Sequence, residues 1–373
     1  MPALSFAPAL SLLAAFSRLS PARPVHTFFR ATGYKLRPPR PIPYTPANTT
    51  AQTQVIARGA AGVHQGATLL CERRLGSVPT IVLGGFVPDA TEQVFLLRGY
   101  LLRRGSVYYL NYPRSGFSVE LIAAQLDDLV TELNLAHGQR PVIFGVSFGA
   151  GLALDWLRRA RAAGRSPDIG GLVLVSPVAC AADIVVPGEV KASTLIGRAL
   201  KPYLDSGATV SQDVISRSRA IFAKMFEAGA QNREALRVLL TLPELHQLRD
   251  RVLAAIQNID THGACERVGA LRDMPPLSPW TVADQLPLTE APTLVLYAEK
   301  ETSVIAVGSP TRAAFETALA AFFPRGELKT VSSQTDTVNP VQHASLIFHY
   351  FQFLPHVTAF YRRLKSNRLS LAA

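Results

Sequence analysis

Residues 140–156 read RPVIFGVSFGAGLALDW: an apolar run, a serine bracketed by glycines, and a small-residue stretch with helical spacing. The pentapeptide GVSFG at residues 145–149 has the pattern G-x-S-x-G around Ser147. Where a strand turns sharply into a helix, side chains two residues before and after the serine would collide, so glycines are needed there. The turn projects the hydroxyl at the helix N-terminus, where free N–H groups favour a developing oxyanion. The pattern indicates a small-residue turn or an exposed nucleophile, and the flanking strand and helix signals favour the nucleophile.

Outward from this stretch, short β-rich runs alternate with runs of helical spacing from about Ala67 onward. A hydrophobic fraction of 48% over 373 residues is enough for a large buried core. The alternation is typical of a mostly parallel central sheet flanked by helices, so we predict an α/β fold. The predicted strands are ATLLCERR (an edge strand), TIVLGG, SVYYLNY, PVIF, GLVLVSP, PTLVLYA and ELKTVSS, and the predicted helices are TEQVFLLRGYLLRRG, Val119–Ala136, LDWLRRARAAG and a last one from about Gln342.

Between Pro177 and Pro292 the alternation stops, and the chain has only helical pieces: EVKASTLIGRALKPYL, SQDVISRSRAIFAKMFEAG, REALRVLL and PELHQLRDRVLAAIQNI. A helical insertion of this size between two strands is expected to pack over one end of the sheet. We therefore predict a helical cap over residues 179–289, inserted into an α/β core of residues 67–178 and 290–365.

The N-terminal segment is basic and contains no acid. The net charge of the chain is +11, and the first 71 residues hold seven lysines and arginines but no Asp or Glu. We expect residues 1–66 to form a poorly ordered arm. Its charges are not interleaved with aromatics in a recognisable nucleic-acid module. We therefore predict no nucleic-acid partner, and either a solvated tail or weak contact with a membrane surface.

The same segment leaves the compartment open. It is rich in Arg and Ser, as organelle transit peptides are, but its apolar run is too short to span a bilayer with confidence. The cysteines, Cys71, Cys180 and Cys265, form no CxxC pair and have no histidine at zinc spacing, which indicates a reducing compartment. We predict a cytoplasmic protein without cofactor or metal, with organelle targeting or membrane association through the arm as the alternative. The oligomeric state stays open.

The region from residue 67 to residue 360 resembles the α/β-hydrolase family, in which a nucleophile, an acid and a histidine follow in that order along the chain. Ser147 matches the nucleophile. The loop AEKE after PTLVLYA resembles the loop that carries the acid, and the usual Asp position falls on Glu301. Glu299 is the neighbouring alternative. Asp183 is the alternative if the acid follows GLVLVSP.

The resemblance places the base at His343, in NPVQHASL, between the last strand and the final helix. The residues Ala344-Ser345 that follow resemble the small residues often found there. Five other histidines fit this place less well because they precede the acid, lie in the cap or lie along the final helix: His64, His137, His246, His349 and His356.

The family binds the oxyanion with two backbone N–H groups. The resemblance places one at Phe148, directly after the nucleophile, and the other at Phe86 in LGGFVPDA. The family commonly has His-Gly where this chain has Gly84-Gly85, so the shape of this loop is expected to differ. A further segment, LNYPRSGFS, resembles the structural D-x-P-G-x-G-x-S loop of the family.

These features predict a serine hydrolase that cleaves an ester-type bond, a carboxylester in the first place and a thioester or amide otherwise, through an acyl-enzyme on Ser147. Its expected partner is a small acyl substrate, and the apolar residues of the cap and of LIFHYFQFL favour an apolar acyl chain. Two alternatives stay open: an acyltransferase with the same triad, and a catalytically silent binding protein of the same fold.

Overall fold

The computed structural model describes residues 41–59, 65–74, 78–206, 210–229, 236, 239–278, 283–333, 340–346 and 348–371. An eight-stranded sheet forms the centre of this part of the chain. The strands are β1 (Ile42–Pro43), β2 (Thr68–Glu72), β3 (Thr80–Leu83), β4 (Val107–Asn111), β5 (Val142–Val146), β6 (Gly171–Val175), β7 (Thr293–Ala298) and β8 (Gly326–Val331).

The order of the strands across the sheet is β1-β2-β4-β3-β5-β6-β7-β8. Strand β2 runs antiparallel to β1 and to β4, and every other neighbouring pair is parallel. This topology confirms the predicted mostly parallel sheet. Parallel strands end at a common edge, so the loops after β3, β5, β6, β7 and β8 meet there.

Helices cover both faces of the sheet, and within the described residues four further α-helices lie between β6 and β7. They are α1 (Thr50–Arg58), α2 (Ala90–Gln93), α3 (Arg98–Leu101), α4 (Val119–His137), α5 (Phe148–Ala162), α6 (Leu195–Ser206), α7 (Gln212–Gly229), α8 (Leu242–Gln257), α9 (Thr261–Asp273), α10 (Pro310–Phe322) and α11 (Tyr350–Leu371).

Two apolar cores lie on opposite sides of the sheet. Successive strand residues point to opposite faces, and in β3 the side chain of Ile81 joins one core while that of Val82 joins the other. Trp156 of α5 packs in the first core, and Phe353 of α11 packs in the second. The central strands are therefore apolar on both faces, as a sheet covered by helices on both sides requires.

Two predicted helices differ from those observed. The segment predicted as one helix over residues 91–105 forms the single turns α2 and α3, because between them the N–H of Leu97 bonds the carbonyl of Val94, three residues back, at 2.8 Å. The last helix begins at Tyr350 rather than near Gln342. Ala344 has a φ of 48°, which a right-handed helix cannot contain.

The prediction of a poorly ordered arm over residues 1–66 is wrong for residues 41–59, which form β1 and α1. Residues 1–40 and 60–64 of that arm lie outside the described residues. The N–H groups of Ala51 and Gln52, at the start of α1, donate to the buried carboxylate of Asp128 at 2.8 and 3.0 Å. A carboxylate at a helix N-terminus satisfies free N–H groups and suits the helix dipole.

The first strand of the sheet also corrects the prediction that ATLLCERR is an edge strand. Ile42 and Pro43 pair with Cys71 and Leu70 of β2, so β1 covers that edge. The hydroxyl of Tyr44, the next residue, donates to the carboxylate of Glu132 on α4. These contacts attach the segment before α1 to the core.

The chain between β6 and β7, residues 176–292, is called the insertion below. It contains the predicted helical pieces as α6, α7 and α8, and also α9, which the sequence did not indicate. The predicted piece REALRVLL lies mostly outside the described residues. The boundaries of the cap at residues 179 and 289 stay a prediction.

No helix within the described ranges is long and apolar enough to cross a membrane. The predicted compartment stays a prediction.

Candidate active site

Ser147 lies at the turn between β5 and α5, with φ 52° and ψ −117°. A positive φ is strained for any residue with a side chain. The flanking glycines are sterically required: a Cβ on Gly145 would lie 2.6 Å from the Cα of Ala150, and one on Gly149 would lie 2.2 Å from the carbonyl oxygen of Gly84. The turn is therefore tight, and this tight turn makes the hydroxyl of Ser147 protrude from the backbone.

The structure brings Ser147, His343 and Glu301 into one hydrogen-bonded chain. The Nε2 atom of His343 lies 2.9 Å from Ser147 Oγ, and its Nδ1 lies 2.5 Å from Glu301 Oε2. With the ring proton on Nδ1, Nε2 is free to accept the proton of the hydroxyl. The side chains of His343 and Glu301 are only 7% and 1% exposed, so water screens the pair little.

The second oxygen of Glu301 is fixed by the protein. It accepts hydrogen bonds from the backbone N–H of Ala298 at 2.6 Å and from the hydroxyl of Ser176 at 2.7 Å. A buried carboxylate needs such donors to offset its lost hydration. The carboxylate is thus held with one oxygen bonded to its supports and the other bonded to His343.

The two alternative acids are bonded elsewhere. One oxygen of Glu299 accepts the N–H groups of Ser333 and Val341 at 3.0 and 2.7 Å. Partial burial raises the pKa of Glu299, but these backbone hydrogen bonds outweigh it and hold the pKa below its ordinary value. Asp183 is buried and accepts from Ser309 Oγ at 2.6 Å and from Thr311 Oγ1 at 2.8 Å. Both carboxylates therefore join loops together.

Three of the alternative histidines lie elsewhere. His349 is buried and its Nδ1 lies 2.8 Å from Ser345 Oγ. His246 is exposed on α8. His356 is half-buried on α11, where burial lowers its pKa. His64 and the side chain of His137 lie outside the described part of the chain.

Ser176, which follows β6, connects Glu301 to the loop that carries His343. Its hydroxyl donates to Glu301 Oε1 and accepts the N–H of Ala344 at 3.1 Å. Sequence reasoning missed this residue. The only signal was its position: it directly follows a strand whose neighbour in a parallel sheet carries Ser147, so both residues must lie at the same edge.

The loop after β3 approaches Ser147 closely. A Cβ on Gly85 would lie 3.6 Å from the Cβ of Ser147. Gln93 supports this loop, because its Oε1 accepts the N–H of Gly85 and its Nε2 donates to the carbonyl of Ala344, both at 3.3 Å. Gln93 thus connects this loop to the loop of His343, and no sequence pattern had singled it out.

The two predicted oxyanion donors are the N–H groups of Phe86 and Phe148. Phe148 is the first residue of α5, and Phe86 follows the two glycines after β3. Their rings pack edge to face, with centroids 5.4 Å apart. Within the described residues, no hydrogen bond to another protein group uses either N–H. Their role stays a prediction.

Arg267 of α9 holds the loop that contains Phe86. Its guanidinium donates to the carbonyls of Phe86 at 2.7 Å, Pro113 at 2.9 Å and Tyr112 at 3.3 Å. The residue is 1% exposed. Burial lowers the pKa of Arg267 to about 10, which leaves the guanidinium charged at neutral pH. The insertion therefore contacts the core through a buried positive charge beside the site.

A cavity of about 150 Å³ opens onto Ser147 and His343. Its described walls include no Asp, Glu, Lys or Arg. A larger groove of about 1090 Å³, between α1 and α4, contains none of the residues bonded to Ser147, so we place the site at the smaller cavity. Apolar side chains from core and insertion line it: Val178, Ile184, Ile196, Phe222, Met225, Phe226, Val252, Ile256, Leu271, Val304 and Phe348.

The cysteines are poor competitors for the role of nucleophile. Burial raises the pKa of Cys71 to about 11 and that of Cys180 to about 12, so both thiols stay protonated at neutral pH. Across the described residues, no group of three or more His, Cys, Asp or Glu side chains is arranged to hold a metal ion.

No protein-family model and no curated protein matches the sequence. Solved structures do match the fold. An esterase from Thermogutta terrifontis has a TM-score of 0.54 at 16% identity and covers 87% of this chain and 99% of its own. A membrane phospholipase A, described as a bacterial virulence factor, has a TM-score of 0.53 at 15% identity, over 96% and 98% of the two chains. An esterase from Exiguobacterium antarcticum has a TM-score of 0.51 at 15% identity, over 81% and 100%.

Proposed function

The chain has the α/β-hydrolase fold, and from this premise we propose that it is a serine hydrolase that cleaves a carboxylester through an acyl-enzyme on Ser147. One observation carries the proposal: the hydrogen-bonded chain from Ser147 through His343 to the buried Glu301. Fold alone does not fix function, whereas the chemistry of such a site does point to a reaction.

In the first half of the proposed reaction, Ser147 Oγ attacks the carbonyl carbon of the ester while His343 Nε2 takes the hydroxyl proton. Negative charge develops on the former carbonyl oxygen, and the N–H groups of Phe86 and Phe148 bind it. Glu301 stabilises the imidazolium, and its short contact with Nδ1 also fixes the ring orientation.

The tetrahedral intermediate then collapses. His343 gives its proton to the leaving alcohol, the bond between the carbonyl carbon and the alkoxy oxygen breaks, and the acyl group stays on Ser147. In the second half, His343 takes a proton from water, the resulting hydroxide equivalent attacks the acyl-enzyme, and Ser147 leaves with the proton returned by His343. The insertion acts in this proposal as a cap that excludes bulk water and shapes the acyl site.

A fluorophosphonate probe tests the nucleophile. The purified protein is expected to be labelled, and Ser147→Ala to abolish labelling and lower kcat on p-nitrophenyl butyrate by roughly 10⁴-fold or more. Ser345→Ala is the matched control, because the hydroxyl of Ser345 also pairs with a histidine, His349. This variant is expected to stay labelled.

Labelling of Ser147→Ala at the wild-type rate would contradict the assignment of the nucleophile. An unlabelled wild-type protein without activity on carboxylesters, thioesters and amides would contradict the proposed function and favour a binding protein of this fold.

A further inference from the structure

We infer that the site accepts the acyl group of a short, uncharged ester, with an upper limit of about six carbons, and that Phe222 sets this limit. This inference depends on the proposed function, since it concerns the acyl group that Ser147 receives. It rests on the size of the cavity at Ser147, on the character of its walls, and on a second cavity behind it.

The walls exclude a charged acyl group. Gln93, Gln342, Ser303 and Ser345 are polar, but none of the described lining residues carries a charge that would pair with a carboxylate or an ammonium. Moving an unpaired charge from water into such a site is strongly unfavourable. The acyl group should therefore be neutral and largely apolar.

The volume sets the length. An apolar protein cavity of about 150 Å³ can hold a benzene molecule, which has six carbons. The cavity at Ser147 has this volume, about 150 Å³. An acyl chain of four to six carbons should fill it, whereas a chain of eight or more should not fit without displacing a wall.

A second cavity of about 30 Å³ lies directly behind the first. The two share four wall residues, of which Phe86 and Val87 belong to the loop after β3. The other two, Phe222 and Ile256, come from helices of the insertion. Their side chains therefore separate the two spaces, and Phe222 is the larger.

The ring of Phe222 has a fixed place. It stacks on the ring of Phe86, with an angle of 2° between the planes and 5.9 Å between the centroids. Phe86 in turn packs against Phe148, the residue after the nucleophile. A stacked aromatic ring resists displacement by a flexible alkyl chain. Phe222 thus forms the wall at the far end of the proposed acyl site.

The test measures kcat/KM for p-nitrophenyl esters from acetate to decanoate. The wild-type protein is expected to prefer butyrate or hexanoate, and its kcat/KM is expected to fall at least tenfold from hexanoate to octanoate. Phe222→Ala joins the two cavities and adds the space of the ring, so its optimum should move to octanoate or decanoate. Phe222→Leu, which preserves more of the packing, should shift the optimum less.

Leu200→Ala is the matched control. Leu200 is buried and lines only the second cavity. Enlarging that cavity while Phe222 is intact should leave the chain-length profile unchanged. In combination with Phe222→Ala, the same substitution should extend the optimum further.

Wild-type protein that hydrolyses decanoate as fast as hexanoate would overturn the limit. An unchanged profile in Phe222→Ala and Phe222→Leu, with both variants folded and labelled by fluorophosphonate, would overturn the role of Phe222. Both results are compatible with the proposed hydrolase activity. A wild-type protein inert to every ester and to the probe contradicts the proposed function instead.

Discussion

Three residues at the site have backbone angles that favour glycine. Within the described residues, the non-glycine positions with positive φ are Ser147 at 52°, Ser176 at 46° and Ala344 at 48°. Each such position costs on the order of 1 kcal/mol or more. They are the proposed nucleophile, the serine bonded to Glu301 and the residue next to His343. Backbone strain is therefore concentrated where side-chain placement matters most.

Ser176→Ala tests the support of the acid. The substitution leaves Glu301 Oε1 with one donor fewer and the N–H of Ala344 without its acceptor. We expect kcat to fall about tenfold with little change in KM, because a misplaced carboxylate weakens stabilisation of the transition state rather than substrate binding. Steady-state kinetics on p-nitrophenyl butyrate measures kcat and KM, and urea unfolding measures the change in stability.

The control is Ser309→Ala, which also removes a buried hydroxyl that donates to a buried carboxylate, that of Asp183. It should lose stability to a similar degree and retain kcat. Equal kcat in Ser176→Ala and the wild type would show that Ser176 has no positioning role.

At the residue scale, the sequence predicted that Ser147, Glu301 and His343 lie together, but not which hydrogen bonds hold them in place. Ser147 was predictable because its glycines are sterically required, and Glu301 and His343 because the family resemblance supplies their order. The structure brings these three together, while their catalytic role stays a prediction. Ser176 and Gln93 carry no pattern, since their hydrogen bonds join loops that are distant in the chain.

At the scale of elements, strands were more predictable than helices. The central strands are apolar runs buried on both faces, and that signal is strong in a sequence. Helix α9 was missed because its apolar stripe is short, consisting of Ala264, Val268 and Leu271. Its inward residues include Arg267 and Gly263, and a Cβ on Gly263 would lie 1.7 Å from the carbonyl of Arg114. Close backbone contact and a buried charge, together with this short stripe, position the helix.

Arg267→Met should uncouple α9 from the core. Three carbonyls would lose their donor, and each unpaired buried polar group costs about 1–3 kcal/mol, so we expect a loss of roughly 2–5 kcal/mol in the free energy of unfolding. Urea unfolding measures it. Arg272→Met, on the same helix but exposed and bonded to Asp273, should change stability by less than about 0.5 kcal/mol. Equal stability of the two variants would contradict this account.

At the scale of the whole molecule, four neighbouring strands are each followed by one residue of the site. Ser147 follows β5 and Ser176 follows β6, while Glu301 and His343 lie in the loops after β7 and β8. The parallel sheet brings these loops to one edge although they are far apart in sequence. The fold class predicted from the alternation of elements therefore implied the location of the site, but not its distances.

The attachment of the N-terminal segment can be tested by truncation. A chain that begins at residue 41 retains β1 and α1, whereas one that begins at residue 60 removes both. The second leaves the buried carboxylates of Asp128 and Glu132 without several donors. We expect it to be less stable by about 2–4 kcal/mol, and to aggregate more readily because the edge of β2 is exposed. Equal urea midpoints for the two chains would refute this.

The insertion is hydrogen-bonded to the core at several separated points, and this limits how the site can open. Near its start, Asp183 binds Ser309 and Thr311 at the beginning of α10. At the beginning of α6, the N–H groups of Leu195 and Ile196 donate to the carbonyl of Ser303, and near the end of the insertion Arg267 binds the loop after β3. A hinge motion of the whole insertion would break all of these bonds together. Helix α7, which carries Phe222, lies between two of these attachments. The ring proposed to end the acyl site is therefore expected to keep its place when substrate enters, so chain-length preference should be independent of the rate of entry.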